Sequence, residues 1–206
     1  VADPGSDARQ LSPDYWNGLY LKGEMGWDLG EVSPPFVALH RSGRIAPPCR
    51  VVVPGCGAGW EVAWLAREGY QVTGLDFAPE ALAHTRARLK ASGVTADLVR
   101  ADMLAPPKEL WGRFDVLLEQ TCFCAVDPSR RDDYVTGAWR LLAPGGRLLG
   151  LFYASGVADG PPFHTDPDEV PRRFGNYFDV RSMQLTPHSH ERRRGREWLG
   201  ELVRRP

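Results

Sequence analysis

Three glycines at alternate positions, Gly55, Gly57 and Gly59, follow the apolar run Val51-Val52-Val53-Pro54, and a carboxylate, Asp76, closes the next apolar run, Tyr70 to Leu75. Glycines at a strand-to-helix turn let the backbone bend sharply, approach a ligand closely and aim helix N-terminal amides at it. A carboxylate ending the second strand of such a unit is placed to accept hydrogen bonds from ribose hydroxyls. The dinucleotide fingerprint G-x-G-x-x-G would need its third glycine at position 60, where Trp60 stands, so close packing of a pyrophosphate is disfavoured. A nucleoside-containing ligand without a pyrophosphate fits both features. Asp102, after the run Ala96 to Arg100, would flank the same crevice, and a helix cap or turn is its other reading.

Hydrophobic patterning supplies the elements that must position these groups. Three consecutive β-branched residues in Arg50 to Pro54 read as a central parallel strand, covered on both faces and so continuously apolar. Val62, Ala63, Leu65 and Ala66 then give a helical stripe that stops near Gly69, completing a βαβ unit. A second helix is expected from Pro79 to Ser92, with proline early and Gly93 after it. Ala96 to Arg100 and Phe114 to Glu119 read as the third and fourth strands. A helix from Arg130 to Leu142 should end at Pro144-Gly145-Gly146, ahead of a fifth strand from Arg147 to Tyr153. A short helix beginning at Asp166-Pro167-Asp168 precedes two alternating segments, Phe178 to Leu185 and Glu197 to Val203, expected to form an antiparallel hairpin.

Residues 1–13 read as a poorly ordered lead-in and 14–206 as a single domain, of which 14–46 forms an N-terminal helical lid. Tyr15, Trp16, Leu19 and Tyr20 fall at helical spacing, which leaves two roles open: sealing one end of the sheet, or covering a ligand. In the second role the faces of Trp16, Tyr20 and Trp27 would stabilise a cation and exclude water. Ser33 to Leu39 begins as a capped helix with proline in its first turn.

A chain of 206 residues suits one well-buried α/β domain, and a formal charge of -1 offers no general attraction to polyanions, so nucleic acid is not an expected partner. The run Arg192-Arg193-Arg194-Gly195-Arg196 is accordingly read as a solvated hairpin loop. No apolar run approaches the ~20 residues that span a bilayer, and the first residues lack a signal-peptide pattern, so a cytoplasmic monomer without membrane contact is expected. Cys49, Cys56, Cys122 and Cys124 lack C-x-x-C spacing and the histidines lack ligand spacing, so no metal is expected and the thiols should be reduced.

The glycine turn with Asp76 resembles motif I and its acidic partner in class I S-adenosylmethionine-dependent methyltransferases. Further segments extend the likeness: Trp27-Asp28-Leu29-Gly30, Val53-Pro54-Gly55-Cys56-Gly57, Gly74-Leu75-Asp76, Phe123-Cys124-Ala125-Val126-Asp127-Pro128 and Gly160-Pro161-Pro162-Phe163. In this order the chain resembles the thiopurine methyltransferase superfamily, nearest its halide/thiol methyltransferases, from about residue 15 onward. The resemblance implies an α/β, Rossmann-like class I methyltransferase fold: a seven-stranded, mostly parallel sheet with an antiparallel C-terminal hairpin and helices on both faces. It implies S-adenosyl-L-methionine as cofactor, S-adenosyl-L-homocysteine as product, and a soft small-molecule acceptor: a thiol, thiopurine, thiocyanate, hydrosulfide or halide. Cofactor-binding roles would fall to Trp27, Gly55, Gly57, Gly59, Asp76, Asp102, Met103 and Glu119, with Asp102 reaching the adenine amino group. Substrate-side candidates are Arg131, Phe163, Tyr20 and Trp16; the plant halide branch tends to have tyrosine where Phe163 stands. The lip Gln120-Thr121-Cys122-Phe123 lacks the N/D-P-P-Y/F motif of amine-methylating enzymes. A thiolate or halide needs positioning and desolvation more than a proton acceptor, so no general base is expected. A nicotinamide-dependent reductase and a non-catalytic cofactor-binding module are the two other readings of the same sheet.

Overall fold

The β-branched run becomes β1 (Arg50–Pro54), the middle of a seven-stranded sheet ordered β3-β2-β1-β4-β5-β7-β6 in a computed structural model that describes residues 11–206. Val51, Val52 and Val53 are at most 3% exposed, as a strand covered on both faces requires. β1 lies parallel to β2 (Gln71–Asp76) and β4 (Phe114–Gln120); β3 (Asp97–Arg100) continues from β2, and β5 (Leu142–Tyr153) from β4. β7 (Glu197–Arg204) runs antiparallel between β5 and β6 (Phe178–Leu185), forming the expected hairpin. The connection changes direction between β1 and β4, so a crevice opens at the carboxyl ends of these strands.

Alternation along the strands divides the core into two layers. Val51 and Val53 face α2 (Pro34–Arg41), α3 (Trp60–Arg67) and α4 (Pro79–Ser92) through Phe36, Leu65 and Leu89. Val52 and Leu117 face α5 (Arg131–Leu141) and α6 (Glu169–Phe174) through Tyr134, Leu141 and Phe174. A smaller cluster joins Tyr20 of α1 (Pro13–Lys22) to Ala78 and Ala81 at the start of α4. Ser12 caps α1 by accepting the Tyr15 amide, and Gly23 ends it in the left-handed conformation.

Three expectations change. The lid does not extend to residue 46: Phe36 and Leu39 of α2 are 0% and 3% exposed in the main core, because an apolar stripe of that size is worth more against the sheet than over a polar crevice. The lead-in falls outside the described residues up to position 10, and Pro13 already belongs to α1. Pro144-Gly145-Gly146 is not a turn ahead of β5 but a bulge within it, where the register steps from Phe114 opposite Leu142 to Val116 opposite Arg147. Gly145 has φ 76°, and proline with glycine is the chemistry that lets a strand bulge.

A close backbone contact positions the loop that carries Asp102 and Met103. A Cβ on Gly137 of α5 would lie 2.1 Å from the Met103 carbonyl oxygen, so the helix and this loop meet through backbone alone. Gly137→Ala should therefore cost about 1–3 kcal/mol despite alanine's better helix propensity, read as a lower urea midpoint at unchanged slope. An unchanged or higher midpoint would show that the loop gives way freely.

Candidate active site

A cavity of about 870 Å³ lies over the carboxyl ends of the strands, walled by the glycine turn, the ends of β2 and β3, the segment after β4, and α1. Gly55, Gly57 and Gly59 have φ of 56°, 56° and 76°, a region open to glycine and costly for other residues. Each is also an approach point for a different element. A Cβ would meet Cys122 Sγ at 2.9 Å from Gly55, the Tyr20 hydroxyl at 2.9 Å from Gly57, and Thr85 at 2.6 Å from Gly59. Of the three, Gly55 lines the cavity, while Gly57 and Gly59 are where Tyr20 and α4 close against the turn.

Asp76 faces both the turn and the cavity. Its Oδ2 accepts the Gly57 amide at 3.0 Å and its Oδ1 the Ala78 amide at 2.9 Å. Burial, at 5% exposure, raises its carboxyl from an ordinary 3.8 to about 6, with the amides pulling the other way. Asp102 and Met103 form the next part of the wall, and Asp102 Oδ1 caps its own turn by accepting the Leu104 amide at 2.8 Å. Asp102 is thus a turn residue that also lines the cavity.

The opposite side is aromatic. Trp16 and Trp27 meet edge to face at 5.2 Å, Tyr20 and Trp27 at 5.6 Å, and all three line the cavity. Burial keeps the Tyr20 phenol protonated. Tyr20 of α1 packs on the start of α4 and also lines the cavity. The arginine run holds this lid down and is not merely solvated. Arg192 donates to the carbonyls of Gly26 (2.8 Å) and Asp28 (3.0 Å), and Arg193, 6% exposed, donates to that of Trp27 (2.6 Å). A guanidinium fork can span successive carbonyls, which turns the β6–β7 loop into a clamp. Asp28 adds a further tie by accepting the Trp60 indole N–H at 2.9 Å.

Three further expected site residues lie outside the cavity. Glu119 is 0% exposed; two positions after Leu117 on β4, it shares that residue's face and points to α5, where it accepts the Phe123 amide at 2.8 Å and the Tyr134 hydroxyl. Arg131 is 1% exposed and turned inward, where Nη1 donates to Glu169 at 2.6 Å and to the His164 carbonyl at 3.1 Å. Its neighbour Arg130 reaches the cavity instead. Phe163 donates its amide to the Cys124 carbonyl at 2.7 Å, which places Pro161 and Pro162 on the cavity wall and Phe163 behind them. The lip supplies Thr121, Cys122 and Cys124, and all four cysteines are free thiols.

A glycine turn closed on a buried carboxylate, at the reversal point of a sheet in this order, defines a class I methyltransferase. The family model for thiopurine S-methyltransferase (TPMT) matches residues 11–204, and the chain belongs to this family. It is 33% identical over 192 residues to thiocyanate methyltransferase 1 of Arabidopsis thaliana, covering 90% of this chain and 82% of the relative. It is 28% identical over 171 residues to a thiopurine S-methyltransferase of Legionella pneumophila, covering 76% and 77%. Among solved structures, the 1,6-didemethyltoxoflavin-N1-methyltransferase of Burkholderia thailandensis, solved with S-adenosylhomocysteine, superposes with a TM-score of 0.72 at 22% identity, covering 100% of this chain and 91% of that one.

The enzyme is thus an S-adenosylmethionine-dependent methyltransferase, and its cavity suits that cofactor. Asp76 offers acceptors to a ribose diol, Gly55 removes the Cβ that would intrude, and the aromatic lid suits a sulfonium cation. When bound, the cofactor supplies an electrophilic methyl group.

Two outcomes follow. Ribose hydroxyls donate to the ionised carboxylate, so affinity for S-adenosylhomocysteine should rise about tenfold from pH 5 to pH 7. Asp76→Asn should bind weakly with a flat profile; calorimetric titration across pH decides, and an unchanged slope in the variant removes Asp76 from the ribose site. The effect on stability has the opposite sign. The folded chain keeps this proton to about pH 6 while the unfolded chain releases it near 3.8, so the Asp76 contribution declines as pH rises between these values. Arg192→Ala should speed amide exchange in residues 24–30 and weaken cofactor affinity several-fold; wild-type exchange there would show that the clamp is not what holds the lid.

Proposed function

We propose that the enzyme methylates sulfur in small organic thiols, with thiocyanate and halides as smaller acceptors of the same site. The observation that carries this reading is the arginines of the cavity wall: Arg130, Arg192 and Arg193 line it beside the carboxylates Glu24, Asp76, Asp102 and Asp127, and no histidine does, among the described residues. Arg192 spends its donors on neutral carbonyls and has no carboxylate within ion-pair distance among the described residues, so its positive charge remains available to an anion. An acceptor entering beside it is favoured as a thiolate, which is already the nucleophile.

Three of the four carboxylates on the wall are committed to protein donors: Asp76 is tied to two amides, Asp102 to the Leu104 amide, and Asp127 to the amide and hydroxyl of Ser129, which hold its carboxyl below the usual range; the fourth is Glu24. What remains for the protein to do is to desolvate the thiolate and hold it in line with the methyl group. The apolar lid and the Pro161-Pro162 wall exclude water, and about 870 Å³ has room for an organic acceptor beside a nucleoside. The similarity to thiocyanate methyltransferase 1 and the family's thiopurine description agree with a sulfur acceptor.

Purified enzyme incubated with S-adenosylmethionine and, separately, an aromatic thiol, hydrosulfide, thiocyanate and iodide should give methylated product fastest with the aromatic thiol, measured by mass spectrometry of solution and headspace. Exclusive turnover of iodide, or of an amine control, would refute the preference for organic sulfur.

A further inference from the structure

We infer that Glu119 and Tyr134, which touch neither cofactor nor acceptor space, are positioning residues for methyl transfer that lock the lip after β4 against the glycine turn. The inference rests on transfer taking place between that lip and the turn. Burying a carboxylate is costly, and packed apolar groups could hold a turn without that cost. What a carboxylate adds is direction. Glu119 Oε1 accepts the Phe123 amide at 2.8 Å, Oε2 accepts the Tyr134 hydroxyl, and the Cys122 amide is directed at the same group.

These bonds set the backbone between them. Thr121 sits at φ 58° and is the one non-glycine residue with positive φ among those described, a conformation a β-branched residue adopts only when its surroundings impose it. Thr121 and Cys122 line the cavity, and Cys122 Sγ fills the space a side chain at Gly55 would take. The same turn presents the Cys124 carbonyl to the Phe163 amide, fixing the loop whose prolines form the facing wall. One buried carboxylate therefore sets two walls that meet where the methyl group must pass.

The groups facing Glu119 are Tyr134 from α5 and Cys122 and Cys124 from the lip. Burial raises each of these above its ordinary value, so all three are neutral. The guanidinium of Arg131 lies beyond them, 4.7 Å from the centre of the Phe123 ring. Burial also lifts Glu119 from 4.5 to about 7. Above that value the ionised group accepts every lip donor; below it a proton occupies one acceptor position and the lip loosens, so turnover falls on acidification.

The test compares wild type, Glu119→Gln and Tyr134→Phe. Three readouts are used: calorimetric binding of S-adenosylhomocysteine, hydrogen exchange of the peptide 120–126, and kcat with 4-nitrothiophenol, an electron-poor thiol ionised from about pH 6 to about pH 9. We expect binding within about twofold of wild type, exchange of that peptide about tenfold faster, and kcat down about tenfold. The acid limb near pH 7 should be absent from Glu119→Gln. Unchanged exchange and kcat overturn the inference, as does a loss of kcat matched by an equal loss of binding, which would mark general damage. Tyr134→Phe, which removes only a hydroxyl, carries the test should Glu119→Gln not fold. A wild type that methylates no thiol refutes the acceptor reading alone, and hydrogen exchange still decides the lip.

Discussion

The bond between the Gly57 amide and the buried carboxylate of Asp76 is the constraint from which the site follows. It fastens the turn after β1 to the end of β2 at the reversal point of the sheet, holding the floor of the cavity and a buried acceptor together. The carboxylate is buried and yet collects two amides, so it neither collapses into the protein nor swings into solvent. The close approaches of Tyr20 to Gly57 and of Thr85 to Gly59 exist because that turn is bare of side chains.

Around this floor the protein uses polar ties where the N-terminal segment is held and apolar packing where two regular elements meet. The sheet layers are joined by residues such as Val52, Leu117 and Tyr134, all essentially unexposed. The lid contributes little to those layers and is instead tied by backbone carbonyls to Arg192 and Arg193, by Asp28 to Trp60, and by Asn17 to the Glu80 amide. Hydrogen bonds at the surface yield more readily than core packing, so this segment is held less firmly than the sheet layers.

The electrostatics of the cavity combine two jobs. Carboxylates (Asp76 and Asp102) and arginines (Arg130, Arg192 and Arg193) line one cavity, which offers acceptors for hydroxyl and amino groups together with positive charge. Aromatic walls strengthen both effects, and Asp76, Asp102 and Arg192 are braced by protein atoms before any ligand arrives.

Local chemistry alone was sufficient to place the elements and the floor of the site. Runs such as Arg50–Pro54 and Pro79–Ser92 carry their own periodicity and caps, and the spacing from Gly55 to Asp76 is a property of a single βαβ unit. Long-range assignments needed the tertiary structure, because they depend on which face a side chain turns to and on what lies across from it. Glu119 and Arg131 are two and fourteen residues beyond Leu117, yet both point into the α5 side of the core, and no pattern in the sequence distinguishes them from cavity residues. The arginine run near the C-terminus has the composition of a solvated loop; only the fold brings it, across more than 160 residues, to the carbonyls of the lid. Sequence determined the framework through local hydrogen bonding and hydrophobic period, whereas the clamp, the lip and the walls were decided by packing between distant segments.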